Sequence, residues 1–200
     1  MPAPPKTNDA EIVDAAWKLV ESKGHAGFSM NDVALAVGVR APSLYGRFAD
    51  RAALLSVVQV EIWSALGRAV TKAPRSSDPV AALTAQCRAY RAFAKRHPRS
   101  YTLIHDAAAE RTEAGQRARE SAFAAALPQL LALVGETHAL SAGRTLVPYI
   151  HGFVSMEIAG AFRLGGSVDL AFERGVATIL AGLTHDGASG PSSAKKRVRR

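Results

Sequence analysis

The chain has one cysteine, Cys87, among its 200 residues, and aromatic residues make up only 6% of it. A single thiol excludes a disulfide within the chain and any metal site built from several cysteines. No apolar run approaches about 18 residues without a charge, so the sequence predicts no membrane-spanning helix. The first residues, MPAPPKTND, lack the apolar stretch of a secretory signal. We therefore expect a cytoplasmic protein with no membrane partner.

Catalytic motifs are also missing from the sequence. It has no His-Glu-x-x-His zinc site, no glycine-rich phosphate loop and no Gly-x-Ser-x-Gly nucleophile turn. His105, Asp106 and Glu110 could form a metal or acid–base cluster, but no further ligand supports it. We therefore predict no enzymatic activity, no cofactor and no metal.

What the chain does have is alanine and helical periodicity. Hydrophobic residues make up 48% of it, which is enough to form a packed core. Few segments alternate with a period of two, so the pattern favours an all-α fold. After the first 72 residues, helices are predicted at 79–96, 98–109, 113–134, 140–164 and 168–184.

The first fifty residues carry the clearest local signals. Asn8 and Ser29 are each followed, three residues later, by an acidic residue, which is the spacing of a helix capping box. Gly38 suits a tight turn with left-handed backbone, and Pro42 suits the first turn of a helix. The pattern predicts three short helices and a longer one over residues 50–72. Such a helix-turn-helix can place a short helix in the DNA major groove.

The net charge of +8 is unevenly distributed along the chain. Residues 186–200 carry five basic side chains and one acidic side chain, giving +4, and we expect them to form a disordered basic tail. Arg40, Arg47 and Arg51 accompany a single acidic residue, Asp50. This local excess of positive charge is where we expect contacts to DNA phosphates.

Over roughly residues 9–63 the chain resembles the TetR family of bacterial transcriptional regulators. The resemblance consists of an ordered series: an amphipathic first helix, a glycine turn ending in Phe-Ser, then Asp-Val-Ala, Gly-Val, Ser-Leu-Tyr, Phe48 and Ala-Leu-Leu. The later segments AYRAFAKRHPRSYTLIH and VPYIHGFVSMEIAGAF resemble a subgroup named for a Trp-His-Gly signature. Here His151-Gly152 is present without the tryptophan.

The resemblance implies an all-α fold in which an N-terminal three-helix helix-turn-helix head is joined by a long fourth helix to a C-terminal helical ligand-binding and dimerisation domain. The expected division is a flexible N-terminus at 1–8, the DNA-binding head at 9–50, the effector-binding and dimerisation domain at 51–185, and the basic tail at 186–200. The expected function is that of a homodimeric repressor, which a small-molecule effector releases from a palindromic double-stranded DNA operator.

In the register of the family, nine residues are expected to contact DNA: Ser29, Arg40, Ala41, Pro42, Ser43, Tyr45, Gly46, Arg47 and Arg51. Arg40 and Arg47 can bind phosphate or guanine through charge-assisted hydrogen bonds. Helix capping explains Ser29 about as well as DNA contact does, and a solvated surface position explains Arg51 equally well. Gly46 stands where the family often has a longer polar residue, so specificity should depend on few side chains and on DNA shape.

Candidates for the effector pocket combine apolar surface with isolated polar groups. They are Trp63, Cys87, Tyr101, His105, Tyr149, His151, Glu157 and Phe162. The alternative for each is a plain core position. The last two predicted helices are apolar on several sides, which is typical of a symmetric four-helix interface between two subunits. The expected interface residues are Ile150, Val154, Ile158, Phe172, Val176, Ile179 and Leu183. The alternative there is a wholly internal core.

Two rival functions remain open from the sequence. The first is a non-specific architectural DNA-binding protein that uses the head and the basic tail. A strong preference for one site at physiological salt would exclude it, since binding driven by counterion release is sequence-independent. The second is a ligand-binding module whose head no longer recognises DNA, which Gly46 makes conceivable. A mostly apolar body suggests a hydrophobic or aromatic effector.

Overall fold

The computed structural model describes residues 7–106 and 112–188, with side chains up to 185. These residues form nine α-helices and contain no β-strand, so the predicted all-α fold is confirmed. The helices are α1 (Asp9–Lys23), α2 (Met30–Ala36), α3 (Ala41–Tyr45), α4 (Arg51–Thr71), α5 (Pro79–Arg96), α6 (Pro98–His105), α7 (Glu113–Ala124), α8 (Leu127–Ile158) and α9 (Val168–Ala188).

The helices of the head begin where the capping signals predict. Asn8 and Ser29 both form complete capping boxes, in which each side chain accepts a backbone N–H and the acidic residue three positions later accepts in return. Asp50 caps α4, where its carboxylate accepts the N–H of Ala53 at 2.8 Å. Gly38 has φ of +70°, so the turn before α3 uses backbone that favours glycine.

Several predicted boundaries in the second half of the chain were wrong. The helix predicted over 113–134 ends at Ala124, and α8 begins three residues later. The break expected near Gly135 is present as a kink inside α8, where this glycine has φ of 73° and ψ of 171°. α8 ends at Ile158 rather than 164, because the backbone turns left-handed at Gly160 (φ +65°).

The expected ends of two other segments also change. α6 ends at His105, and residues 107–109 of the helix predicted there lie outside the described residues. α9 continues to Ala188, so the first three residues of the predicted tail are helical, while 189–200 lie outside the described residues. In the N-terminal segment predicted to be flexible, the Thr7 hydroxyl donates to the carbonyl of Val37 at 3.3 Å, while residues 1–6 are not described.

By contacts, the described chain divides into two units. Unit 1 contains residues up to 72 together with 89–125, and unit 2 contains 73–88 together with the residues from 126 onward. Helix α5 therefore contributes its first half to unit 2 and its second half to unit 1. The functional boundary between head and body predicted near residue 50 stays a prediction, since α4 packs in unit 1 on both α1 and α7.

Helix α4 forms the centre of unit 1. Its apolar stripe is buried against α1, α6 and α7, with Leu54, Val58, Ile62 and Leu66 at most 1% exposed. Burying each such side chain contributes roughly 1.5–3 kcal/mol relative to exposure. Gly67 allows α7 to approach closely, because a Cβ there would lie 3.1 Å from the Cα of Ala122.

Length and composition alone would allow α4 to cross a membrane, and the α7–α8 pair, bent by 77°, passes the same test as a broken span. In the structure, the apolar stripe of α4 is covered by the protein's own helices, as in the core helix of a folded domain.

In unit 2, α8 packs on α9. Phe172, Val176 and Leu180 of α9 are at most 1% exposed. Gly175 lies directly under the ring of Tyr149, whose hydroxyl would be 1.8 Å from a Cβ at that position. The first half of α5 is joined to α9 by Arg88, which donates to both carboxylate oxygens of Glu173 at 2.7 Å.

Candidate nucleic-acid interface

The short helix α3 presents one face to the core of the head and the other to solvent. Leu44 is fully buried, and Phe48, just beyond the helix, is 8% exposed. Helical spacing places Tyr45 on the same side as these two residues, but in the structure it is 53% exposed. Because α3 has five residues, it is too short for periodicity to separate its two faces. The ring of Tyr45 is therefore available to an external partner.

Most of the predicted DNA-contacting residues are brought together on this solvent face. Arg40, Pro42, Ser43, Tyr45, Gly46 and Arg47 are exposed, and Ala41 is half-buried. The guanidinium of Arg40 has no hydrogen bond or ion pair among the residues that the structure describes. Arg47 differs, because its guanidinium donates to the carboxylate of Asp9 at 2.7 Å. Arg40 could therefore bind DNA without losing an ion pair, whereas Arg47 would have to share or leave its ion pair with Asp9.

Ser29 is fully engaged in capping α2. Its hydroxyl donates to the carboxylate of Asp32 at 2.6 Å, and its backbone N–H donates to the same carboxylate at 2.7 Å. Lys23 adds an ion pair to Asp32 at 2.9 Å. Hydrogen bonds from Lys23 and Ser29 hold the pKa of the Asp32 carboxyl well below its usual range. The capping interpretation of Ser29 thus has direct geometric support, and contact with DNA remains a prediction.

Arg51 turns inward, although the sequence suggested a phosphate contact or a solvated position. Its Nε donates to the carbonyl of Phe28 at 2.9 Å, and the guanidinium lies 4.7 Å from the centre of the Phe28 ring. Its Nη2 is buried and has no hydrogen-bond partner among the described residues. Arg51 therefore fastens the turn before α2 to the start of α4. Local sequence gives no signal for this role, because the partner lies 23 positions away.

Three of the eight candidate pocket residues form one cluster in unit 1. The His105 ring lies 5.0 Å from that of Trp63 and 4.6 Å from that of Tyr101. Tyr90, which the sequence analysis did not single out, joins them: its hydroxyl lies 3.0 Å from that of Tyr101 and 3.3 Å from Nε2 of His105. Burial raises the pKa of the Tyr90 phenol, so it stays protonated.

A depression of about 340 Å³ opens beside this cluster. Trp63, Gly67 and Ala122 contribute its apolar wall, and Arg68 and Lys72 add positive charge. Because most of the indole is buried, with 4% of the residue exposed, the depression is bordered by the edge of a packed core.

The other five pocket candidates lie in unit 2. Cys87 is 2% exposed, and burial raises the pKa of its thiol to about 12. Tyr149 donates to the carbonyl of Phe172 at 3.3 Å. Phe162 is 39% exposed. His151 is half-buried, which lowers the pKa of its imidazole, and Glu157 is also half-buried. Tyr149 and Phe162 are linked through the ring of Phe153, whose centre lies 6.0 Å from that of Tyr149 and 4.8 Å from that of Phe162.

The predicted dimer residues divide into two groups. Ile150, Val154, Phe172 and Val176 are buried within the chain itself, which supports the alternative of an internal core, and their contact with a second subunit stays a prediction. Ile158, Ile179 and Leu183 are half-buried. The large apolar side chains exposed on these helices are different ones: Leu127, Leu131, Leu140, Met156 and Leu170.

The described residues contain no group of three or more His, Cys, Asp or Glu side chains that could hold a metal ion. Glu110 of the cluster considered from the sequence lies outside the described residues. His105 instead belongs to the aromatic cluster, and Oδ2 of Asp106 lies 3.9 Å from Nε2 of His25.

Solved structures with the same fold extend over nearly the whole chain. The transcriptional regulator SCO7222, a TetR from Streptomyces coelicolor, is 22% identical with a TM-score of 0.73, covering 90% of this chain and 98% of its own. A protein of unknown function from Rhodococcus sp. RHA1 is 22% identical with a TM-score of 0.74, covering 92% and 100%. A TetR variant from Acinetobacter baumannii AYE, in complex with minocycline, is 22% identical with a TM-score of 0.65, covering 90% and 98%.

Family sequence models match both parts of the chain, although no curated protein does. The model described as bacterial regulatory proteins of the tetR family matches residues 12–58, and one described as a tetracyclin repressor-like C-terminal domain matches residues 83–179. The Trp-His-Gly subgroup stays a prediction. The first match begins within α1 and ends within α4, and the second begins within α5, ends within α9 and includes every pocket candidate except Trp63. The chain belongs to the TetR family of transcriptional regulators.

Proposed function

We propose that the chain is a homodimeric repressor, located in the cytoplasm, that binds a palindromic operator and is released by a small-molecule effector. The observation that carries this proposal is the exposed face of α3, where Tyr45 is 53% exposed beside the fully buried Leu44. An exposed aromatic side chain on an anchored helix is suited to contact with the DNA backbone. In a dimer, two such helices would enter successive major grooves about one helical turn apart or a little more.

The residues of the α3 face would have different roles in that complex. Arg40, with no partner among the described side chains, would bind phosphate or guanine at no cost in broken ion pairs. The Ser43 hydroxyl would donate a hydrogen bond to a base or a phosphate, and the Tyr45 hydroxyl would contact the DNA backbone. Ala41, Pro42 and Gly46 would allow close approach to the groove. Arg47 would contact phosphate only by sharing or leaving the carboxylate of Asp9.

Dimerisation is proposed to use the exposed apolar residues of α8 and α9 in place of the buried ones. Leu140, Met156 and Leu170 are between 50% and 63% exposed, and half-buried Ile158, Ile179 and Leu183 extend the same helices. For the effector, the Trp63–Tyr101–His105 cluster and the adjacent depression favour an aromatic or hydrophobic molecule with a hydrogen-bonding group.

Operator binding by variants of the α3 face tests the proposal. We expect Tyr45→Ala and Arg40→Ala each to weaken binding of the selected operator by at least about fivefold, since one good contact contributes about 1–3 kcal/mol. Arg119→Ala is the matched control, because Arg119 is an exposed arginine of α7. Sedimentation should show the same oligomer for all three variants. Unchanged operator affinity in both α3 variants would mean that this face does not bind DNA.

The second candidate function, a non-specific architectural DNA-binding protein, is favoured by one feature. Five of the last six residues are basic. If the chain is a specific repressor, deleting residues 189–200 should weaken binding at low salt and leave the preferred sequence unchanged. Loss of all binding with the tail, at every DNA sequence alike, would favour the architectural function.

A further inference from the structure

The end of α1 and the start of α6 cap one another through side chains. The carboxylate of Glu21, on α1, accepts the backbone N–H of Ser100 at 3.1 Å and that of Arg99 at 3.4 Å. These N–H groups belong to the first turn of α6 and have no acceptor within the helix, and the N-cap residue His97 makes no side-chain cap. A carboxylate at this end of a helix is also favoured by the helix dipole.

The reciprocal half of this contact comes from Arg99. Its guanidinium donates to the carbonyl oxygens of Glu21 at 3.3 Å and of Ser22, which belong to the last turn of α1. The last carbonyls of a helix have no partner within it, and a cation there is favoured by the dipole. Glu21 of α1 therefore caps the start of α6, and Arg99 of α6 caps the end of α1. Both helices lie in unit 1.

Ser100 is the buried centre of the contact. It is 0% exposed, its hydroxyl donates to Glu21 at 2.6 Å, and the same oxygen accepts the indole N–H of Trp17 at 2.7 Å. Buried hydrogen-bonding groups cost about 1–3 kcal/mol when left unsatisfied. A displacement of α6 relative to α1 by more than about an ångström would lengthen these bonds beyond hydrogen-bond range.

The part of α6 that follows Ser100 carries two residues of the aromatic cluster. Tyr101 follows Ser100 directly, and His105 is the last residue of the helix, which at eight residues is about 12 Å long. Both contact Tyr90, and His105 also contacts Trp63. One short helix thus touches the head at its first turn and the candidate effector cluster along its remaining turns.

We propose that Glu21, Arg99, Ser100 and Trp17 form a latch through which α6 transmits the state of the aromatic cluster directly to α1 of the head. The proposal rests on the proposed function, because it specifies how an effector at the cluster would be coupled to DNA binding. A change that displaces Tyr101 or His105 moves α6, and α1 either follows through its shared hydrogen bonds or loses them. Glu21 is a positioning residue in this device.

The two tryptophans of the chain allow the latch to be tested without DNA or effector. In a Trp63→Phe background, Trp17 is the only indole and reports on its bond to Ser100. Tyr90→Phe then perturbs the aromatic cluster by removing the hydroxyl next to Tyr101 and His105. We expect a shift in Trp17 emission and at least about fivefold faster exchange of the Arg99 and Ser100 amide protons, the lower limit of typical allosteric coupling.

The same perturbation should have no further effect once the latch is broken by Glu21→Gln. Asp14→Asn is the matched control, since it removes a carboxylate from the same helix, where Asp14 pairs with Lys18 on the surface. The Asp14→Asn protein should respond to Tyr90→Phe like the parent. If Glu21→Gln fails to fold, as judged by thermal unfolding, Arg99→Gln tests the exposed half of the latch. An unchanged Trp17 signal and unchanged exchange after Tyr90→Phe would overturn the proposal.

Operator binding provides the second measurement. The effects of Tyr90→Phe and Glu21→Gln on operator affinity should be non-additive by at least about fivefold. Additivity within about twofold, as for independent sites, would overturn the latch. Failure of the proposed function is distinguishable from failure of the latch. A Trp17 response without operator binding would refute the repressor function and support the latch, whereas operator binding without that response would refute the latch.

Discussion

Replacing Gly175 by alanine should loosen the packing of α9 on α8. A Cβ at position 175 would lie 1.8 Å from Oη and 2.3 Å from Cζ of Tyr149. Ordinary contacts of a Cβ begin near 3.4 Å, so the ring must move by more than an ångström. Tyr149 packs beside Phe153 and Phe172, with ring centres 6.0 and 6.4 Å away, and donates to the Phe172 carbonyl. Movement away from Gly175 therefore disturbs these contacts.

The expected cost is the difference between two opposing effects. Overpacking typically costs about 1–3 kcal/mol, and loss of the Tyr149 hydrogen bond adds about 1 kcal/mol. Alanine in place of glycine inside a helix returns about 1 kcal/mol. We therefore expect Gly175→Ala to lower the free energy of unfolding by about 1–3 kcal/mol. A Cβ at Gly182, on the same helix, would have no neighbour within 4 Å among the described residues beyond the nearby backbone of α9, so Gly182→Ala should instead raise this free energy by about 0.5–1 kcal/mol.

Urea unfolding measures this effect in the parent, Gly175→Ala, Tyr149→Leu and the double variant. In the Tyr149→Leu background the added methyl group finds space, so Gly175→Ala should lose its cost there. Gly182→Ala serves as the control for helix propensity. The argument is refuted if Gly175→Ala is neutral or stabilising with Tyr149 in place, or if its cost is the same in both backgrounds.

Three further predictions concern titratable groups. Since the pKa of Cys87 is raised to about 12, its thiol should resist alkylation at pH 8 until urea unfolds the protein, and fast labelling of the native chain would contradict its burial. The lowered pKa of Asp32 stabilises the fold above the ordinary carboxyl pKa of about 4, and this contribution is lost as pH falls towards the folded value. Asp32→Asn should therefore lower Tm at pH 7 but not in strong acid, and an equal difference at both would contradict this. Asp9→Asn should free Arg47 and tighten operator binding by up to about fivefold in titrations, whereas weaker binding would show that Asp9 orients this arginine.

Local signals were sufficient to predict the helix starts of the head. Capping at Asn8, Ser29 and Asp50 depends on residues within three positions of one another, so the sequence contains the whole interaction. The end of α8 was placed too late because the sequence offers glycines at both 160 and 165–166. Which of them first ends the helix depends on the left-handed backbone that the structure has at Gly160.

Interactions between distant parts of the chain could not be predicted in this way. The sequence left Arg51 open between a phosphate contact and a solvated position, and it gave no sign of the inward hydrogen bond because the partner is the backbone carbonyl of Phe28. The sequence left Ile150 and Phe172 open between a dimer interface and an internal core, because an apolar residue buried by its own chain has the same sequence pattern as one buried by a second copy. The latch joins Glu21 to Ser100 across 79 positions, and no local spacing in the sequence connects the two residues.

The most direct test of the account is selection of bound fragments from the source genome by the purified full chain at physiological salt. Sequencing of the bound fragments reports specificity and symmetry together. The account predicts enrichment of one near-palindromic site, whose two halves match the two heads of a dimer. Recovery of fragments without sequence preference would contradict it, because a counterion-driven binder selects no site.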